Sequence, residues 1–412
     1  MPDLIKKVFN SKFIRRSKII LLGTILAQAI TFGTSFVITA YYNPEDLGLL
    51  GTIGAIISIV AGTLSFRLEV AIIQADDENA VEVFIKSTIL GGVACLIFCL
   101  FCFFLPWEFA QKIRTFFVPF ILWCWAYCLF FNSKQLPFKF NNIEIASIGG
   151  IWRSAFIFIF QLLGGIIYPR FGTLISGRIS GDYVGAMIHI KRYMSQIRLN
   201  YFKTDWFKFI KKHSDFMIYM APHHLCLALS NNILIFFIEK WHGLIIVGFY
   251  TLAQRLVMGP IEIIGSTISN VTMQRFGELK GNFHELRVFY IKVIILSFFV
   301  SFISAFLIFL CIDYIVPFLG PKWKDSGLMV KALVPFFFSY LFNMPTSYFL
   351  RFINKSRLQL ILELIELISK LLLLSLIDWE SSYTMVLIYG LASCLFSIFR
   401  TGIVYFLITK YS

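Results

Sequence analysis

The chain has 412 residues, of which 58% are hydrophobic, 17% aromatic and only 15% charged, with a formal net charge of +14. A soluble domain of this length would be nearer half apolar with about a quarter of its residues charged, so a water-soluble fold is excluded. The surplus Lys and Arg lie in short connections and form no contiguous soluble face, which excludes nucleic acid as the partner.

A helix crosses a bilayer with about 20 apolar residues. Twelve stretches meet that need: 18–41, 47–73, 83–105, 116–132, 143–168, 172–190, 215–239, 246–272, 288–317, 327–350, 358–377 and 383–409. Their apolar character is continuous and does not alternate, which predicts helices and not a barrel. At the start, Lys12, Arg15, Arg16 and Lys18 precede Ile19–Leu26, and Ala27-Gln28-Ala29 imitates a signal-peptidase site. The apolar run continues to Ala40, so the stretch reads as a first permanent span.

The second span ends on Arg67 and Glu69. Two residues apart on one helix they point about 200° away from each other, which predicts partners on other helices. The third and fourth spans carry Cys95, Cys99, Cys102, Cys124 and Cys128. With Cys226, Cys311 and Cys394 these sit in apolar segments and read as small packing residues; the single C-x-x-C lacks the second pair of a zinc site. Trp123, Trp125, Tyr127 and, later, Asn231 are candidates to read sugar hydroxyls.

Arg153 lies near the middle of the fifth span with no acid beside it in sequence, and the sixth carries Arg178 and Asp182, spaced to neutralise each other. The basic, aromatic connection Lys191–His213 reads as an amphipathic segment lying on an anionic leaflet and joining two halves, with a binding site for a cytoplasmic partner as the alternative. The seventh span holds Pro222-His223-His224 and Asn231-Asn232, the pattern of a gating helix; adjacent His residues face different sides and make a poor metal pair. In the eighth span Arg255 and Glu262 are separated by Gly259-Pro260, where a kink is allowed. Lys292 and Lys331 lie near span ends and can snorkel. Lys370 can pair with Glu366, and Glu363 shares their face. Arg400 has no evident partner. At about 2.5–3.5 kcal/mol each, these interior cations would together cost on the order of 20 kcal/mol facing lipid. They must therefore be paired, terminal or in contact with water.

The basic connections fall on one side if both termini are cytoplasmic. That face holds Lys6, Lys7, Lys12, Arg15, Arg16, Lys18, Lys86, Lys134, Lys139, the 191–212 cluster, Arg275, Lys280, Arg287, Arg351, Lys355, Arg357 and Lys410. The other face holds only Lys112, Arg114, Arg170, Lys240, Lys322 and Lys324. Leu47-Gly48-Leu49-Leu50 and Val247-Gly248-Phe249-Tyr250 open the second and eighth spans, as expected of two related halves. The expected organisation is an N-terminal bundle at 1–190, a basic linker at 191–214 and a C-terminal bundle at 215–412. There is no G-x-x-x-x-G-K-[ST] loop and no G-x-S-x-G elbow, so neither ATP hydrolysis nor hydrolase chemistry is encoded.

Several motifs then stand in a familiar order. They are Tyr42-Asn43-Pro44-Glu45-Asp46-Leu47-Gly48, Arg67-Leu68-Glu69-Val70-Ala71-Ile72 and Asp76-Asp77-Glu78-Asn79-Ala80. Further on come Val247-Gly248-Phe249-Tyr250-Thr251-Leu252-Ala253-Gln254-Arg255, Pro260 and Ile264–Ser269. The chain resembles the polysaccharide-export branch of the MOP flippase superfamily, the Wzx-type O-antigen flippases. The resemblance implies an all-α membrane protein of the MOP/MATE-like kind, with twelve transmembrane helices in two six-helix bundles around a central cavity. It also implies a bacterial inner-membrane transporter, not an enzyme, that moves undecaprenyl-diphosphate-linked oligosaccharide by alternating access.

Carried onto this chain, Arg67 and Arg255 match the motifs as substrate-binding residues, and burial adds Arg153 and Arg178. The planar fork of arginine suits diphosphate oxygens. Glu69, Asp182 and Glu262 are candidates for coupling to an H+ or Na+ gradient, and Pro260 and Pro222 for gating; no cofactor or metal is called for. Expected partners are the lipid-linked oligosaccharide, membrane lipids, a polysaccharide polymerase and a chain-length regulator. The alternatives are a cation-coupled multidrug exporter of MATE type, which would want an acidic cavity, and an O-antigen polymerase or ligase, which would show a large external loop.

Overall fold

The computed structural model describes residues 12–104, 108–198, 201, 205–279, 283–353 and 355–411, and among them every regular element is a helix. Lys6, Lys7, Lys203 and Lys280, assigned above to the basic face, lie outside the described residues. The helices are α1 (Lys12–Tyr41), α2 (Pro44–Leu64), α3 (Leu68–Gln74), α4 (Asp77–Phe101), α5 (Glu108–Thr115), α6 (Phe117–Ser133), α7 (Gln135–Lys139) and α8 (Ile143–Ile167). They continue with α9 (Phe171–Lys191), α10 (Trp206–Lys212), α11 (Ala221–Glu278), α12 (Phe283–Ile315), α13 (Ser326–Phe352), α14 (Ser356–Leu376) and α15 (Ser382–Tyr411). Gly243, at φ 80° and ψ 175°, interrupts α11. A residue without Cβ takes that conformation at no steric cost, so α11 is two spans joined end to end. Counting it so, twelve helices among the described residues are about long enough to span a membrane, in keeping with the twelve spans the sequence predicts. Of these, α9 and α14 are less uniformly apolar because they carry interior charges.

The chain forms two compact units: residues up to Tyr41 with Ile53–Leu225, and Tyr42–Thr52 with Cys226–Ser412. In the first, α8 packs against α1 and α9, α6 against α9, and α4 against α6. In the second, α13 packs against α12 and α15, and α14 against α15. Phe298, Phe302 and Phe306 of α12 stack along its outer side and remain about half exposed. Such a stripe suits acyl chains and would be an aggregation hazard in water.

The matching tetrapeptides pack on one another. A Cβ at Gly48 would stand 2.0 Å from the Leu244 carbonyl oxygen and 3.0 Å from Gly248 N, and a Cβ at Gly248 would stand 2.0 Å from the Pro44 carbonyl oxygen. The opening turns of α2 and the second half of α11 therefore cross backbone to backbone, with Thr52 Oγ1 donating to Glu239 at 3.0 Å nearby. Gly248→Ala is expected to lower stability by about 1–3 kcal/mol through overpacking against a carbonyl that cannot move alone. Gly33→Ala, with nothing within 4 Å of the new methyl, should be neutral or stabilising. Thermal midpoints of the two purified variants in detergent check the contrast.

The described part of the 191–214 connection packs on the first unit. Asp205 caps α10 by accepting from Phe207 N at 2.9 Å and Lys208 N at 3.2 Å. Phe209 joins the core formed by Leu68, Ile72, Phe84 and Tyr193. Lys86, assigned above to a loop, is instead buried within α4. It pairs with Glu82 at 2.7 Å and lies over the Trp206 and Phe209 rings at 5.6 and 5.1 Å. The aliphatic stem and charge of Lys86 are both accommodated there, which a loop lysine would not need.

Burial, then the Lys212 and Lys86 charges, push the neighbouring His213 imidazole down from its ordinary value. The undocked segment then binds a proton that the docked one resists, so docking is at full strength above about pH 6.5 and weakens as pH falls below it. The protection of amides across Phe209–His213, after correction for the intrinsic slowing of exchange at lower pH, should fall on acidification, and His213→Gln should remove that dependence.

Candidate functional site

The interior charges of the first unit begin at a backbone break. After α2, Phe66 and Arg67 take left-handed angles, φ 54° and 57°, a conformation that costs about 1–2 kcal/mol per non-glycine residue. The reversal lets the Arg67 guanidinium meet Glu69 at 2.7 Å. This corrects the expectation that the two cannot pair locally: that argument assumes an unbroken helix, and the helix is broken between them. Glu69 itself is buried.

Asp182 on α9 is fully buried and accepts from two directions, Arg153 Nε of α8 and Trp123 Nε1 of α6 at 3.1 Å. The Arg153 guanidinium also lies 4.6 Å from the Phe130 ring centroid. The expected Arg178–Asp182 pairing is therefore corrected: the carboxylate is engaged by α8 and α6, and Arg153, which lacked an acid in sequence, has one in space. Arg178 remains within electrostatic reach of both, yet its buried Nε has no hydrogen-bond partner among the described residues. The Tyr127 phenol stands within electrostatic reach of Asp182, Arg153 and Arg67. His224 stands within reach of Arg67, its ring filling the space left by Gly62. Arg67 and Arg153 thus both lie within electrostatic reach of Tyr127, and Arg153 and Asp182 within reach of Arg178; with Arg67 paired to Glu69 and Arg153 to Asp182, Arg178 is the cation left over. Trp123 donates to Asp182, and Trp125 packs against Gly92.

Pro222 follows a π-helical turn, Phe216–Met220, at the start of α11. A wide turn of this kind often marks a functional segment. The other sequence-derived residues lie in the second unit. Arg255 is half-buried, Glu262 is exposed within electrostatic reach of Tyr340, and Pro260 sits inside a helix whose dihedrals remain regular. The interruption that the sequence allows at Gly259-Pro260 occurs earlier, at Gly243.

A second cluster extends the Lys370–Glu366 pair that the sequence predicts. Arg400 of α15 donates to Glu363 at 2.8 Å and to Glu366 at 2.9 Å on α14, while Lys370 pairs with Glu366 at 2.7 Å and reaches Ser230 Oγ at 3.2 Å. The i,i+4 pair is the one expected from sequence. The signal for the rest is an imbalance: two acids and one lysine on α14 require a cation from elsewhere, and Arg400 was unassigned.

A family model described as polysaccharide biosynthesis protein matches residues 37–328. The chain belongs to this polysaccharide biosynthesis family. No curated protein matches it by sequence. Among solved structures, an inward-facing multidrug resistance MATE transporter of the MOP superfamily is similar with a TM-score of 0.73 at 15% identity, covering 97% of this chain and 99% of that one. The lipid II flippase MurJ, in an inward closed conformation, is similar at TM-score 0.70 and 13% identity, covering 94% of this chain and 89% of that one. A MOP superfamily transporter from Pyrococcus furiosus, whose binding pocket is described as of reverse polarity, is similar at 0.65 and 14%, covering 96% and 95%. This member of the polysaccharide biosynthesis family therefore has the fold of a MOP-superfamily membrane transporter.

Proposed function

We propose that the protein flips an undecaprenyl-diphosphate-linked oligosaccharide, an O-antigen or related surface-glycan repeat unit, across the bacterial inner membrane, with Arg67, Arg153 and Arg178 receiving the diphosphate. The observation that carries this reading is the uncompensated cation at the constellation around Asp182. Arg67 is paired with Glu69 and Arg153 with Asp182, and Arg178 beside them offers a buried Nε donor without an acceptor among the described residues. An anion with several phosphate oxygens supplies what is missing, and charge-assisted bonds to it strengthen away from bulk water. A drug exporter binding cations would meet the wrong sign here.

Arg178→Ala is the direct test. Each charge-assisted hydrogen bond is worth about 1.5–3 kcal/mol, so substrate affinity should fall about 10- to 100-fold while thermal stability holds, because Arg178 makes no ion pair among the described residues. Cells carrying the variant should lose surface glycan and accumulate lipid-linked repeat units, and Arg178→Lys should restore part of the export. Normal export in Arg178→Ala and in the charge reversal Arg255→Glu would overturn the assignment. Glu69, Asp182 and Glu262 stay as candidates for ion coupling, and polymerase and chain-length regulator as partners that take up the product.

A further inference from the structure

We propose that α10 and the residues flanking it form a fixed docking surface for acidic phospholipid headgroups, on the leaflet that the basic connections face. The inner side of the helix is committed to the protein: Phe209 and His213 are buried, and Trp206 lies beside the Lys86 ammonium. The outer side is not. Phe207 is 77% exposed and Ile210 37%, and in the turn that follows Ile218 is 61% exposed. Lys208, Lys211 and Lys212 are exposed alongside them, as are Lys191, Arg192 and Arg198 at the end of α9, against the exposed acids Asp205 and Asp215.

A helix facing only water would carry polar groups on that side. One seated on a soluble acidic protein would not need Phe207 and Ile210 projecting among its lysines. Apolar side chains interleaved with ammonium groups match the boundary between acyl chains and anionic headgroups. Because Phe209 anchors the helix, its outer side cannot turn away, and the surface is preformed. Phe209 also shares its core with Leu68 and Phe66, the neighbours of Arg67, so lipid engagement would steady the break that carries Arg67. That transport consequence rests on the reading above; the lipid contact does not.

The experiment uses the full chain in nanodiscs of phosphatidylcholine with or without phosphatidylglycerol. An NBD fluorophore is attached at Phe207→Cys in a background where Cys311 and Cys394, the two cysteines that are not buried, are serine. Blue-shifted emission is expected only with phosphatidylglycerol, reversing at high salt. A lysine near an acidic surface is worth about fivefold in partitioning, so Lys208→Gln, Lys211→Gln and Lys212→Gln together should weaken the engagement about a hundredfold. The three side chains are exposed, and an unchanged thermal midpoint will show that the fold survives. Emission that is the same in both lipids, or indifferent to the triple substitution, would overturn the proposal and leave the surface to a protein partner. If labelled protein responds as expected but Arg178→Ala and Arg255→Glu both export glycan normally, the lipid surface stands and the flippase assignment falls.

Discussion

Arg400→Ala is expected to cost about 3–5 kcal/mol, the range for removing one partner of a buried ion pair. Arg400 is 2% exposed and, among the described residues, is the ion-pair partner of Glu363, while Glu366 is shared with Lys370. The cluster is balanced, two carboxylates against a guanidinium and an ammonium. Removing Arg400 leaves two buried acids with one lysine, and the unpaired one must either ionise without a partner or take up a proton. The measurement is the thermal midpoint of the purified protein, together with the amount that reaches the membrane. Arg400→Met combined with Glu363→Gln should recover much of the loss, because the uncompensated charge is removed from both helices. A midpoint that Arg400→Ala leaves unchanged would show that water reaches Glu363 and that the cluster is not a staple.

Asp182→Asn should be comparably severe, about 3–5 kcal/mol, since the neutral amide leaves Arg153 and Arg178 together without a counter-charge. The amide also keeps only one acceptor oxygen where Arg153 Nε and Trp123 Nε1 now find two. This site separates stability from transport. Asp182→Leu with Arg153→Leu should regain stability, because apolar residues of similar volume can replace a buried pair at little cost. Glycan export should stay lost if Arg153 contacts substrate, and should return if the pair is only structural.

The sequence made the fold legible because a bilayer demands long apolar helices, and little else could be written with these residues. It placed the second span as one piece, 47–73, where the chain forms α2 and α3 on either side of Phe66 and Arg67. Neither residue is a glycine, so no local signal announced the left-handed turn. The Arg67–Glu69 pair was missed for the same reason. Lys370 with Glu366 was legible because the partners are one turn apart on a single helix. Arg153 with Asp182, and Arg400 with Glu363, were not, because they join different helices whose rotation is set by packing. Of the candidate site, the residue types were visible in the chain, while the assembly of Arg67, Arg153, Arg178 and Tyr127 into one constellation required coordinates.

The balanced cluster between α14 and α15 has a consequence for biogenesis. Released singly into the bilayer, α14 would carry Glu363, Glu366 and Lys370, and α15 would carry Arg400, each such charge adding about 2.5–3.5 kcal/mol to the insertion of an isolated helix. The five residues separating them, 377–381, make a short hairpin. Release of α14 and α15 together, as a neutralised pair, is therefore expected to be favoured over release of either helix alone.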